Sequence, residues 1–191
     1  MSGLRLLVVF HSGEGHTAAV AERIGATIGE TGATVEVVGA DRAPGPEGFD
    51  GVLVGGAIHF GRHGSPLRRY LERHGSALAT MPLAVFQVSL TSATDDDEHR
   101  ATAHQLLADL IDPAGLDPDV VGFFAGSLAY TRYGWLKRRL MRTIARGEGV
   151  DTDTDADHDY TDWDAVEQFA LDAVAAAQQA KHPGPRRALP S

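Results

Sequence analysis

The stretch from Leu4 to Ile28 constrains the fold most. An apolar run, Leu4 to Phe10, passes directly into His11-Ser12-Gly13-Glu14-Gly15-His16-Thr17, and a helical pattern follows from Ala18. A buried strand ending in small hydroxyl and glycine residues leaves the first-turn N–H groups of the next helix pointing outward, where the helix dipole favours negative charge. The pattern predicts an anion cradle built from Ser12, Gly13, Glu14, Gly15, His16 and Thr17. The bland alternative is an ordinary strand-to-helix turn with Thr17 as a helix cap.

Glycine spacing narrows the anion. The loop lacks the third glycine of dinucleotide-binding turns and the lysine of nucleoside triphosphatases, with the hydroxyls of Ser12 and Thr17 taking the place of a cation. Such a loop suits one phosphomonoester, and flavin mononucleotide (FMN) is the natural candidate. The chain contains no cysteine, which removes disulfides, thiolate catalysis and Cys-based metal sites. Redox chemistry would then come from a bound organic cofactor.

Strand and helix signals alternate. Leu4 to Phe10, Thr34 to Val38, Gly51 to Val54, Leu83 to Val88 and Val120 to Ala125 read as five buried parallel strands. Helical patterns occupy Thr17 to Thr31, Pro66 to Leu78, Glu98 to Ile111 and Trp163 to Ala180. This predicts an α/β, doubly wound five-stranded parallel sheet of order 2-1-3-4-5, with its ligand crevice beyond the carboxyl ends of strands one and three. At 191 residues and 43% hydrophobic composition, one domain is expected.

The loop after strand three, Gly55-Gly56-Ala57-Ile58-His59-Phe60-Gly61-Arg62, borders the same crevice. Its glycines let backbone approach a flat ring, Gly56 to Ile58 could donate N–H groups to flavin N5 and O4, and His59 or Phe60 could stack. Ser89, Leu90 and Thr91 would close the other side. Equally, His59 and Phe60 could be turn residues packing on the next helix.

After strand five, Gly126 to Trp135 leads into Leu136 to Arg146, where Leu136, Leu140, Met141 and Ile144 oppose Lys137, Arg138, Arg139, Arg142 and Arg146. This basic amphipathic helix could lie on an anionic membrane, each cation contributing about 1 kcal/mol, or offer arginines to ligand carboxylates. It could also be a plain surface helix paired with nearby aspartates. The run Asp151 to Asp162 has calcium-loop spacing but Ala156 and Asp162 where glycine and glutamate belong, so no metal site is assigned. An exposed acidic loop is expected, with Thr161 capping the last helix and Asp164 its reciprocal partner. The net charge of -9 argues against nucleic-acid binding. No stretch reaches the roughly 20 apolar residues of a membrane span, and no secretory signal precedes the first strand, so an intracellular protein is expected.

Strand-F-H-S-G-E-G-H-T, V-G-G-A-I-H-F-G-R-H-G-S, A-G-S-L-A-Y-T-R-Y-G-W-L-K-R-R and Y-T-D-W together resemble the flavodoxin-like, menaquinone-dependent protoporphyrinogen IX dehydrogenases, over Leu4 to about Ala177. The resemblance implies six-electron oxidation of protoporphyrinogen IX to protoporphyrin IX in haem synthesis, with FMN passing electrons to menaquinone or another quinone. It implies a single flavodoxin-like domain over 1–181 with an insertion at 127–161, a disordered tail at 182–191, and a cytoplasmic location against the inner face of the cell membrane, bound peripherally to its anionic surface. A homo-oligomer is compatible with it.

Carried over, Ser12 to Thr17 hold the phosphate, and Gly56, Ala57, Ile58, His59 and Phe60 face the isoalloxazine with Ser89, Leu90 and Thr91 opposite. Tyr130, Arg132, Tyr133, Trp135, Arg138, Arg139 and Arg142 form the substrate and membrane side. Chemistry is placed at FMN N5, with no acid-base residue assigned. Glu14 departs from the pattern and must point away from a phosphate, while His11 or His16 could offset its charge when protonated. The competing functions are a flavodoxin-type electron carrier and an NAD(P)H-dependent quinone reductase.

Overall fold

The computed structural model describes residues 3–13, 15–59, 61–89, 97–125, 127–128, 158–159 and 161–182. In chain order its strands are β1 (Arg5–His11), β2 (Thr34–Gly39), β3 (Gly51–His59), β4 (Arg62–His63), β5 (Leu83–Ser89), β6 (Val120–Ala125), β7 (Ser127–Leu128) and β8 (His158–Asp159). Its α-helices are α1 (His16–Glu30), α2 (Ser65–Leu78), α3 (Asp97–Ile111) and α4 (Trp163–Lys181).

Strand β1 dictates a two-sided core. Side chains alternate along a strand, and Leu6 and Val8 face one layer while Leu7 and Val9 face the other, all at most 1% exposed. Only helices on both faces can cover such a strand. On one face lie α1 and α4, which bring Val20, Ile24 and Ile28 together with Val166, Phe169, Ala173 and Ala177, stripes at the 3.6-residue helical period. Their centre is the aromatic trio Phe86, Phe124 and Phe169, with ring centroids 5.6 to 6.2 Å apart. On the other face, Leu67 and Leu71 of α2 and Leu107 and Leu110 of α3 pack on Val52, Val54, Leu83 and Val85.

The five long strands are parallel in the order β2-β1-β3-β5-β6, the expected 2-1-3-4-5 arrangement. Three expectations need correction. The third strand does not stop at Val54 but continues to His59, because its backbone stays paired with β1 to Gly56 and with β5 to Ala57. What reads as a loop is a hairpin: β3 turns at Gly61, whose φ of 70° is costly for residues with a Cβ, and returns antiparallel as β4. Finally, β2 and β6 are edge strands rather than fully buried ones, with Val121 40% exposed.

Helix α4 is fastened at both ends. Asp162, not Thr161, is its N-cap, its Oδ1 accepting the Ala165 N–H at 3.1 Å, and Asp164 lies in the first turn, where acidic charge suits the dipole. Thr161 is committed elsewhere, as described below. At the far end the Lys181 ammonium reaches Asp50 Oδ2 at 2.9 Å, and Asp50 also accepts the Arg5 N–H. The Lys181 contact, with the Arg5 bond, holds the Asp50 carboxyl below the usual carboxylate range despite partial burial. Among the described residues, no helix is long and apolar enough to cross a membrane.

Candidate functional site

Strand register brings the predicted segments together. His11, the last residue of β1, lies beside Gly56 of β3, which lies beside Gln87 of β5, which in turn faces Phe123 of β6. One row across the carboxyl edge of the sheet therefore collects the first loop, the β3–β4 hairpin and the end of β5.

The first loop has the geometry of an anion cradle. Gly15 is the N-cap of α1 with φ 96°, a left-handed conformation that favours glycine, and its N–H donates to Ser12 Oγ at 3.0 Å. No side chain caps α1, and its first turn carries no acidic residue. Those first-turn N–H groups are the ones a helix cannot satisfy internally, and they sit at the positive end of its dipole. Gly13 and Gly15 are exposed, whereas Thr17 is 2% exposed, so its hydroxyl lines the base of the turn rather than its rim. Glu14 lies outside the described residues.

His16 contributes its backbone to this turn but directs its ring elsewhere. Its Nε2 is 2.7 Å from Thr161 Oγ1, which is 2.9 Å from the Ala125 carbonyl. The hydroxyl has one proton, and the carbonyl can only accept, so Thr161 donates to Ala125 and His16 Nε2–H donates to Thr161. The ring also meets Trp163 edge-on at 6.1 Å, and the Arg23 guanidinium lies 5.4 Å from the Trp163 ring centroid. Either the neutral Nε2–H tautomer or the protonated ring makes this donation, so the contact ties His16 to the end of β6 in both protonation states.

The same contacts lie where the chain leaves β6 and where it returns to α4. Ser127 pairs with Asp159 and Leu128 with His158, so the two ends of the segment lie side by side just beyond Ala125 and next to Thr161. Tyr130, Arg132, Tyr133, Trp135, Arg138, Arg139 and Arg142 lie outside the described residues, as does the acidic run 151–157.

The hairpin places the backbone of Ala57, Ile58 and His59 over the carboxyl edge. Gly55 and Gly56 permit close packing there: a Cβ at Gly55 would run into the Phe86 ring, and one at Gly56 would press on Leu67 at 3.0 Å. Ser89 ends β5 buried beside Ala125. Phe60, Leu90 and Thr91 lie outside the described residues.

Beneath the hairpin is a feature the sequence did not flag. His63 Nε2 lies 3.1 Å from Gln87 Oε1, and both side chains are buried, Gln87 completely. Among the described residues, His63 Nδ1 and Gln87 Nε2 have no partner of good hydrogen-bond geometry, although the Leu106 backbone lies close enough to His63 to favour its protonation. An unsatisfied buried polar atom costs about 1–3 kcal/mol, so the pair is an expensive way to fill a core. Burial pushes His63 down to about 4, aided by the Arg68 charge and opposed by Gln87 and the Leu106 backbone. It is a neutral imidazole at pH 7. A pocket of about 230 Å³ adjoins it, lined by Gly61, Arg62, Arg68, Leu106 and Asp109 among others. A separate open cleft of about 840 Å³ lies at the opposite edge of the sheet and is lined by Asp117, Asp119 and Asp172, a charge that repels a phosphate.

The flavodoxin domain family matches residues 7–155. Protoporphyrinogen IX dehydrogenase (quinone) of Leishmania major is 33% identical over 176 residues, covering 90% of this chain and 75% of that protein. The protein of the same name from Escherichia coli strain K12 is 28% identical over 169 residues, covering 87% and 93% respectively. Among solved structures, oxidised flavodoxin 1 from Bacillus cereus superposes with a TM-score of 0.53 at 17% identity, covering 90% of this chain and 97% of that one.

Proposed function

This chain belongs to the flavodoxin domain family and is an oxidoreductase of the protoporphyrinogen IX dehydrogenase kind, and from that premise we propose that it oxidises protoporphyrinogen IX with FMN as cofactor and a membrane quinone as acceptor. The observation that carries the cofactor is the uncapped N-terminus of α1 behind a left-handed Gly15, following a strand whose last residue, His11, is in register with Gly56 at the base of the β3–β4 hairpin. A monophosphate ester fits the first, needing several N–H donors and no lysine, and a flat ring fits the second.

Ser12, Gly13, Gly15, His16 and Thr17 would hold the phosphate through backbone N–H groups and hydroxyls. The backbone of Ala57 to His59 would line one side of the ring and Ser89 the other. Bound there, FMN supplies the two-electron acceptor that a chain without cysteine otherwise lacks. Oxidation of the porphyrinogen removes six electrons and six protons in all, and three quinones leave as quinols. The Arg-rich, aromatic segment begins at β7, directly after β6, and ends at β8, paired with it just before Thr161, which supports its assignment to the two substrate propionates and the anionic membrane surface.

Titration of the protein with FMN tests the first half. Flavin fluorescence should quench on binding, and Ser12→Ala, which removes the oxygen that fixes Gly15, should weaken affinity about tenfold. Absence of quenching with the unmodified protein refutes the cofactor. Anaerobic mixing of the FMN-loaded protein with protoporphyrinogen IX and menaquinone should yield porphyrin fluorescence. A flavin that stays oxidised, with no porphyrin formed, while a chemical reductant still bleaches it, would instead mark an electron carrier without this substrate.

A further inference from the structure

The β3–β4 hairpin is held by unequal means along its length. Strand β3 is fixed to β5 by backbone pairing only as far as Ala57 and Val88, and to β1 only as far as Gly56. Beyond that point Ile58 and His59 pair with His63 and Arg62 of β4 alone. A two-stranded ribbon by itself is marginal in water. Its return arm is tied to the sheet by the His63–Gln87 hydrogen bond, buried at the same level as Gly56.

We propose that His63 and Gln87 are positioning residues that set the pose of the Ile58 and His59 backbone against the flavin edge, and so adjust its reduction potential. The proposal rests on the flavin reading above. Among the described residues the pair leaves His63 Nδ1 and Gln87 Nε2 without a partner of good geometry, a cost that two apolar side chains filling the same volume would not carry, so stability gives little reason for it. Orientation does. A hydrogen bond fixes distance and angle where apolar contact fixes neither, and backbone N–H groups that meet negative charge developing at flavin N5 and O4 act in proportion to their placement. Loosening the hairpin should disfavour the reduced flavin more than the oxidised one.

The test compares Gln87→Met, His63→Leu, the double variant and His63→Gln, which keeps a partner for Gln87. In each FMN-loaded protein the midpoint potential is read by dye equilibration. In each apoprotein, amide exchange is read at Ile58 and His59. The expected result is a tenfold shift in preference toward oxidised flavin, about 30 mV more negative for a two-electron couple, in either single variant. The double variant should show no further shift, His63→Gln should recover most of it, and exchange should quicken at those two amides while the central strands keep their protection. A wild-type potential in folded, FMN-loaded Gln87→Met, or shifts that add in the double variant, would overturn the proposal. Should Gln87→Met fail to fold, the contrast between His63→Leu and His63→Gln decides on the same readouts. Failure of the unmodified protein to take up FMN defeats the cofactor reading instead, and apoprotein exchange at Ile58 and His59 then decides whether the pair fixes the hairpin.

Discussion

Acidification should weaken this fold through one residue. His63 is 8% exposed, and burial lowers it from 6.5 to about 4. Between those values an unfolded chain binds a proton at this position that the folded chain excludes. Stability therefore falls as pH drops from about 6.5 to about 4, and this contribution is flat on either side. At about 1.4 kcal/mol per pH unit, the interval amounts to about 3 kcal/mol, a large part of the stability of an ordinary domain. Other groups titrate in the same range, so the comparison is with His63→Gln, which is neutral throughout. Arg62, Arg68 and Asp109 line the adjoining pocket and are common to both proteins, so what remains in the difference is the titration of His63 itself, including the Arg68 charge that acts on it. Urea unfolding followed by circular dichroism from about pH 7 to about pH 4 should show the parent losing about 3 kcal/mol more than the variant. Parallel curves would refute the burial of a neutral imidazole at this site.

Two further substitutions probe the rest of the framework. Thr161→Val removes the hydroxyl shared by His16 and Ala125, costing about 1–2 kcal/mol and lowering Tm by about 5 °C, and an unchanged thermal transition would show that the chain of bonds is not stabilising. Phe86→Ala empties the centre of the aromatic trio and should cost about 3–5 kcal/mol in urea unfolding, a loss under about 1 kcal/mol being incompatible with a packed core there.

Among the described residues, the sequence alone placed the five parallel strands and four helices, because each signal is local. Leu6 to Val9 announce a doubly covered strand by being apolar throughout, and α1 announces itself by Val20, Ile24 and Ile28 at helical spacing. The turn conformation before α1 is equally local, since Ser12, Gly13 and Gly15 are neighbours in the chain. Longer-range features left no such mark. The Thr161 to His16 contact spans 145 residues and His63 to Gln87 spans 24, distances at which residue type reveals nothing about pairing. Gln87 looks like a lone polar residue in an apolar strand, and only the returning hairpin supplies its partner. The N-cap of α4 passed from Thr161 to Asp162 for the same reason: Thr161 was claimed by the end of β6, a strand 36 residues away at Ala125. Patterning and local conformational preference thus fixed the elements and the glycine turn before α1, while the contacts that orient that turn depended on which chain ends the packed sheet brought side by side.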